Sequence, residues 1–128
     1  MPIDIEPLNL EKTTIQVLNE SDGGVLLKFV GTIDHLNPSE FLDPLFDKVH
    51  SQVLEQRVPK VEADFTELNF LNSSGIKSLL KWIMRQLDLG EDKRYPIKIV
   101  YSRKITWQQT SLKAITHLSK GAVITEPR

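Results

Sequence analysis

Two adjacent serines stand where the hydrophobic pattern of the chain changes from a strand period to a helix period. They belong to the segment Asn72-Ser73-Ser74-Gly75. A helix start leaves backbone N–H groups unpaired and carries partial positive charge, so these hydroxyls could cap the helix, or one could carry a phosphate that the helix end stabilises. A serine can also act as a nucleophile beside a base. This segment is therefore the first candidate for chemistry.

A catalytic serine would need a base and an orienting carboxylate. The candidates in the chain are, as base, His35, His50 or His117 and, as carboxylate, Asp34 or Asp64. The residues around Ser73 do not form the Gly-x-Ser-x-Gly elbow that exposes a nucleophile on a strained turn, and no histidine has a recognisable partner context. Hydroxyls at a helix start are most often caps. We therefore predict that the protein is not an enzyme.

The composition argues against several other classes of site. The 128 residues include no cysteine, which excludes thiol chemistry and cysteine-based metal sites. The three histidines lack ligand spacing and read as surface or capping residues, so we expect no metal and no cofactor. A net charge of −1 favours neither nucleic acid nor an anionic membrane as a partner. The N-terminal residues do not resemble a signal peptide and no long apolar run occurs, so we expect a cytoplasmic protein.

The first third of the chain predicts an arm and a hairpin. Residues 1–12 have no clear period and read as an irregular N-terminal arm, while residues 13–128 read as one domain. Residues 13–18 and 25–30 are rich in β-branched and apolar side chains. The segment between them has turn composition with Gly23-Gly24 at its end, which predicts a β-hairpin and not a phosphate loop.

Two prolines shape the prediction for the first helix. Asn37 can cap a helix that has Pro38 in its first position and Glu40 reaching back. Pro44 would remove a hydrogen bond from the interior of that helix, at a cost of about 3 kcal/mol. We therefore expect a short turn over residues 38–42, followed by a new helix that Asp43 caps with Pro44 in its first position.

The remaining elements surround the two serines. Val61, Ala63 and Phe65 alternate with acidic residues and predict a strand before the segment. The helix after it has apolar positions at Ile76, Leu79, Leu80, Ile83, Met84 and Leu87. Trp82 lies one residue before this face, which suggests partial burial or a partner contact.

A strand over residues 95–101 and a final edge strand over residues 122–125 flank a third helix. A capping box at Thr106-Trp107-Gln108-Gln109 would begin that helix, and its buried side would be Trp107, Leu112, Ile115 and Leu118. Strands that alternate with helices imply right-handed crossovers. The prediction is a single α/β domain, with a mixed sheet of about four to five strands, an N-terminal hairpin and three to four helices.

Two segments resemble one known family. Residues 61–80, with a strand, an apolar turn and Asn-Ser-Ser-Gly-Ile before an amphipathic helix, resemble the STAS domain of bacterial anti-sigma-factor antagonists. Gly31-Thr32-Ile33-Asp34-His35 resembles the second signature of that family, and the two segments follow in the expected order and separation. The resemblance covers about the whole chain and implies a STAS-like fold.

The resemblance also implies a non-catalytic switch in a partner-switching pathway that regulates transcription. In the family, a partner kinase that is also an anti-sigma factor phosphorylates the first serine of Asp-Ser-Ser-Gly, and only the unphosphorylated form binds it. By position that serine is Ser73. Ser74 and Gly75 complete the loop, Asp34 lies in the neighbouring loop, and Lys77 is one turn further on. The implied partners are this kinase or a related signalling enzyme, with a phosphatase to reverse the modification.

Asn72 stands where the family has an acidic residue. A related branch, phosphoproteins that control a diguanylate cyclase, has Leu-Asn-Thr-Ser-Ser-Ile-Lys, against Leu71-Asn72-Ser73-Ser74-Gly75-Ile76-Lys77 here. Two alternatives therefore stay open beside the sigma-factor pathway. The domain could regulate another signalling enzyme such as a diguanylate cyclase, or it could sense a small ligand or nucleotide at the helix start without phosphorylation.

Overall fold

The computed structural model describes residues 3–119 and 123–128. The strands are β1 (Leu8–Asn9), β2 (Thr13–Asn19), β3 (Val25–Ile33), β4 (Val61–Leu71), β5 (Ile97–Tyr101) and β6 (Val123–Pro127). The helices are α1 (Ser39–Gln56), α2 (Ser73–Leu87) and α3 (Thr106–Leu118).

The strands form one six-stranded sheet whose spatial order is the order in the chain. β1, β2 and β3 pair antiparallel, whereas β3 with β4, β4 with β5 and β5 with β6 pair parallel, and a helix joins each parallel pair. The predicted α/β class, the hairpin, the mixed sheet and the helical crossovers are confirmed. The sheet has more strands than predicted, because Leu8–Asn9 of the predicted arm pairs with β2. The division of the chain at residue 12 stays a prediction.

The helices cover one face of the sheet. Alternate strand residues, such as Leu27 in β3, Ala63 in β4 and Ile99 in β5, are buried in one apolar cluster with residues of all three helices. On the other face the side chains are mostly half-exposed and include charged pairs between neighbouring strands, such as Lys28–Glu67 at 3.2 Å. The two-residue period of the strands therefore separates a packed face from an open one.

The prediction for the first helix was wrong. α1 is continuous from Ser39 through Pro44, and its N-cap is Pro38 without a side-chain cap, so neither Asn37 nor Asp43 acts as predicted. Pro44 lies only six residues into the helix, where it removes a single backbone bond. Burial of Leu42, Leu45, Phe46, Val49 and Val53 along one side of the helix offsets this loss.

The buried face of α2 is rotated relative to the predicted one. Its buried residues are Gly75, Ser78, Leu79, Trp82, Ile83 and Gln86, whereas Met84 is exposed and Ile76, Leu80 and Leu87 are half-buried. The indole of Trp82 accounts for the rotation. It stacks on Phe46 of α1 at a centroid distance of 5.0 Å, and its N–H donates to the buried hydroxyl of Tyr95 at 2.9 Å.

The C-terminal elements differ from the prediction at their ends. α3 begins after Ile105 without a side-chain cap, and Gln108 donates to the carbonyl oxygens of Phe65 and Leu68 at 2.6 and 2.8 Å. Leu112 and Ile115 are buried as predicted, and the side chain of Leu118 lies outside the described residues. β6 covers residues 123–127, and the predicted strand residue Ala122 also lies outside the described residues. No helix in the described chain is long and apolar enough to span a bilayer.

Candidate functional site

Asn72 joins the end of β3 to the start of α2. It lies in extended backbone between Leu71 and Ser73, and its side-chain oxygen accepts from the Gly75 N–H at 2.9 Å, so Asn72, and not one of the two serine hydroxyls, caps the helix. Its amide nitrogen donates to the carbonyl oxygen of His35 at 2.8 Å, and its backbone N–H donates to the carbonyl oxygen of Ile33 at 3.0 Å. A reversed amide would oppose like groups at both contacts, so the network sets the orientation.

A glycine in each of the two segments is required by close packing. A Cβ on buried Gly75 would overlap the side chain of Leu71. Gly31 has φ +106°, in the left-handed region, and a Cβ there would overlap the carbonyl oxygen of Lys12. Gly31 therefore lets β3 approach the backbone of Lys12 closely, and Gly75 lets the first turn of α2 approach the side chain of Leu71.

Ser73 and Ser74 are exposed in the first turn of α2. The first N–H groups of a helix have no intrahelical partner, and Asn72 occupies only that of Gly75. Lys77 is exposed four residues after Ser73, on the same side of the helix, and has no ion-pair partner among the described residues. The start of α2 therefore combines unpaired backbone N–H groups with an ammonium about one turn further on.

Asp34 is exposed in the β3–α1 loop, which comprises residues 34–38. Its carboxylate pairs with the ammonium of Lys12 at 3.2 Å, and both side chains are about half-exposed. Because Asn72 bonds to Ile33 and His35 on either side of Asp34, the structure brings this loop against the start of α2. All the candidate binding residues from the sequence thus lie at the edge where the parallel strands β3 and β4 end.

Two exposed apolar side chains at this edge were missed by the sequence reasoning. Leu36 is 89% exposed in the β3–α1 loop, and Phe70 is 43% exposed near the end of β4. Leu71, the neighbour of Phe70, is buried. Leu36 falls between His35 and Asn37, outside any helix or strand period, and that isolation was the available signal.

The histidines do not assemble a catalytic group with the serines. The ring of His35 packs edge-on against Phe41 at a centroid distance of 4.9 Å. His50 is buried, which corrects the prediction of a surface or capping residue, and its Nδ1 lies 2.7 Å from the hydroxyl of Tyr95. Within the part of the chain that the structure describes, no hydrogen bond joins a histidine to Ser73 or Ser74 and no metal-ligating cluster occurs.

The fold was compared with known proteins. No family model and no curated protein sequence matches the chain. Among solved structures, an anti-sigma factor antagonist from Mycobacterium paratuberculosis is 19% identical, with a TM-score of 0.61 over 91% of this chain and 90% of that one. A chain in the complex of diguanylate cyclase SiaD with its activator SiaC, from Pseudomonas aeruginosa, is 15% identical, with a TM-score of 0.69 over 97% and 100%.

A third similar solved structure is described by the name of its fold. An uncharacterized protein of the DUF3478 family from Shewanella loihica, described as having a SpoIIAA-like fold, is 17% identical, with a TM-score of 0.55 over 93% of this chain and 88% of that one. The chain is therefore an α/β domain with a STAS-like fold of the SpoIIAA type. The fold implied by the two sequence segments is confirmed.

Proposed function

We propose that this protein is a cytoplasmic, non-catalytic regulator that binds a signalling protein through the β3–α1 loop and the start of α2, and that phosphorylation of Ser73 switches this binding. The observation that carries the proposal is that exposed Ser73 follows Asn72, and that the side chain of Asn72 bonds to both the β3–α1 loop and the first turn of α2. The neighbouring folds include an anti-sigma factor antagonist and an enzyme activator, both named for action on other proteins.

The proposed contact surface combines apolar and polar groups. Leu36 and Phe70 supply exposed apolar area, which is the part of an interface that binding removes from water. The polar or small residues at the same ends of β3 and β4 and in the first turn of α2 are Asp34, Asn72, Ser74, Gly75 and Lys77. A partner that docks here must bury Leu36 and Phe70 together with the exposed hydroxyls of α2.

Phosphorylation would oppose docking through charge and desolvation. A phosphate adds about −1.5 to −2 charge at neutral pH. Ser73 lies three residues after Phe70, so a docked partner would have to cover the phosphate or withdraw from the apolar side chains. The helix start and Lys77 would stabilise the phosphate in the free protein. The phosphorylated form would therefore stay folded and bind less tightly.

Two classes of partner fit this proposal. One is a kinase that also serves as an anti-sigma factor, with a phosphatase that removes the phosphate. The other is a signalling enzyme such as a diguanylate cyclase, which is favoured by the Leu-Asn-Ser-Ser-Gly-Ile-Lys segment and by the likeness to the structure containing the activator SiaC. The identity of the captured partner distinguishes the two.

The test compares capture of a partner by the wild type, Ser73→Ala and Ser73→Asp. Mass spectrometry identifies the captured protein, and its affinity is then measured with purified components. We expect wild type and Ser73→Ala to bind alike and Ser73→Asp to bind at least about tenfold more weakly, which corresponds to about 1.4 kcal/mol. Ser51→Asp places the same charge on an exposed position of α1 and should bind like the wild type. Equal binding by Ser73→Asp, with no kinase modifying Ser73, would contradict the switch.

A further inference from the structure

A cavity of about 610 Å³ lies between the turn that follows α1 and the loop that joins α2 to β5. The cavity lies where the parallel strands β4 and β5 begin, whereas Ser73 lies where β4 ends. β4 begins beside this cavity at Val61 and reaches the other edge at Leu71, and at about 3.3 Å per residue the two edges are roughly 33 Å apart. We propose that this cavity binds a small organic anion, with an apolar body and one phosphate or carboxylate group. The proposal is independent of any modification of Ser73.

The wall of the cavity is apolar. Val53 is buried, while Leu54 and Val58 are half-buried, and all three line the cavity. Tyr95 is buried behind them with its hydroxyl already bonded to Trp82 and His50, so its ring is what remains for contact with a ligand. The volume is within the range of about 300 to 1,000 Å³ that is usual for small-molecule sites. The wall therefore suits the apolar body of a ligand.

The rim of the cavity carries an excess of positive charge. It includes Arg57, Lys93 and Arg94 against the single carboxylate of Asp92. Arg94 is engaged, because its guanidinium donates to the carbonyl oxygens of Leu87 and Leu89 at 2.8 and 2.9 Å. Neither Arg57 nor Lys93 has an ion-pair partner in the described part of the chain. These two cations are therefore available to an anionic group at the mouth.

The backbone of Arg57 is an independent indication of a role for its side chain. It ends α1 in the left-handed conformation with φ 53° and ψ 49°, and it is the only residue other than glycine with a positive φ among those described. Helices that end in this way most often have glycine there, because other residues are strained. Strained backbone positions cluster at ligand-binding sites, and the side chain of Arg57 lines this cavity.

The binding test titrates the protein with phenyl phosphate and, separately, with benzoate, and follows the backbone amide signals by NMR. Two controls test each half of the ligand alone: inorganic phosphate supplies the anionic group, and benzyl alcohol supplies the apolar body. We expect saturable shifts at Val58, Asp92 and Tyr95, and affinity at least about tenfold higher for one of the two complete probes than for either half. The better of the two complete probes identifies the phosphate or the carboxylate as the preferred group.

Three variants test the assignment of the cations. Arg57→Gly should weaken binding by at least about tenfold, while the Tm of the free protein stays at least as high, because glycine adopts the left-handed conformation without strain. Lys93→Gln should also weaken binding. Lys48→Gln removes an exposed cation from α1 outside the cavity and should bind like the wild type.

Several outcomes would overturn the proposal. These are no saturable shift at millimolar concentrations, equal affinity for inorganic phosphate, or wild-type affinity in both Arg57→Gly and Lys93→Gln. Shifts at Ser73 and Ser74 instead of Val58 and Tyr95 would place the anion at the start of α2 and would overturn it as well.

Discussion

The two ends of one side-chain amide, on Asn72, connect the parts of the candidate site. Its oxygen caps α2 at Gly75, and its nitrogen holds the carbonyl oxygen of His35. An aspartate could supply the cap but has no proton to donate to a carbonyl oxygen. The resembling family has an acidic residue at this position, and the contact with His35 is a physical reason for an asparagine in this chain.

Substitutions at Asn72 should separate these two roles. Asn72→Ala loses both side-chain contacts and should lower the free energy of unfolding by about 2 kcal/mol. Asn72→Asp keeps the cap but places a carboxylate against the carbonyl oxygen of His35, and should lower it by about 1 kcal/mol. Urea denaturation measures both values, with Asn69→Asp on the exposed end of β4 as a control expected within about 0.5 kcal/mol of the wild type. If Asn72→Asp is as stable as the wild type, the His35 contact contributes nothing.

The contact between α1 and α2 depends on packing and a buried hydrogen-bond network more than on charge. The exposed pairs Asp43–Lys81 and Asp47–Arg85 join the two helices, but such pairs contribute about 0 to 1 kcal/mol. Beneath them, Trp82 of α2 donates to the hydroxyl of Tyr95, and this hydroxyl lies 2.7 Å from Nδ1 of His50 in α1, to which it can donate when the neutral imidazole carries its proton on Nε2. Burial raises the pKa of Tyr95 to about 12, so this hydroxyl keeps its proton.

Removing the Tyr95 hydroxyl should therefore loosen the packing of both helices on β5. Tyr95→Phe leaves the Trp82 N–H and Nδ1 of His50 buried without partners, and we expect the free energy of unfolding to fall by about 2 to 3 kcal/mol. Tyr101→Phe, which removes a hydroxyl from a half-buried ring, is the matched control and should cost less than about 0.5 kcal/mol. Similar losses in the two variants would show that the network contributes little.

On the scale of the whole molecule, the two proposed sites lie at opposite ends of the parallel strands, and α2 runs between them. Ser73 lies at the start of α2, and the loop after its C-terminal end borders the cationic cavity. The helix has 15 residues, so its ends are roughly 22 Å apart. Between them the core is one continuous apolar cluster into which His50 is packed, so protonation at this residue bears on the stability of the whole domain.

The stability of the domain should fall in mild acid because of His50. Burial lowers the pKa of His50, Arg85 lowers it further, and Asp47 partly opposes them. The unfolded chain therefore binds a proton near pH 6.5 that the folded chain binds only at lower pH. The His50 contribution is complete above about pH 6.5 and is lost as the pH falls towards the lowered value in the folded state.

The measurement is the urea midpoint at about pH 7.5 and about pH 5.5. The wild type should lose stability as the pH falls between these two values. His50→Gln should lose less, because a glutamine cannot be protonated in this range and its side-chain oxygen can still accept a hydrogen bond from the Tyr95 hydroxyl. His117→Gln removes an exposed histidine from α3 and should follow the wild type. An equal loss of stability in His50→Gln and the wild type would exclude His50 as the cause.

Local patterns in the sequence were enough for several features of this protein. Alternation at the start of β4, the turn between β2 and β3 and the start of α2 after Asn72 all depend on neighbours within a few residues, so the hairpin and the start of α2 were predicted at close to their observed positions. β4 is longer than predicted, because it continues to Leu71 through the residues that were predicted to form an apolar turn. The resemblance to the STAS family implied that Asp34 lies in a loop next to the serine segment, and Asn72 bonds to the residues on either side of Asp34 in that loop.

Other features were decided by contacts between residues far apart in the chain. α1 continues through Pro44 because its apolar side is buried, α2 is turned so that Trp82 meets Phe46 and Tyr95, and His50 is buried by the same packing. The cationic cavity beside Arg57 likewise arises only when separate loops meet. The sequence by itself determined the order of elements and the serine segment, since these depend on local periodicity and capping. Only the tertiary structure decided which faces are buried and which loops share a surface, because burial depends on contacts between segments that are distant in the chain.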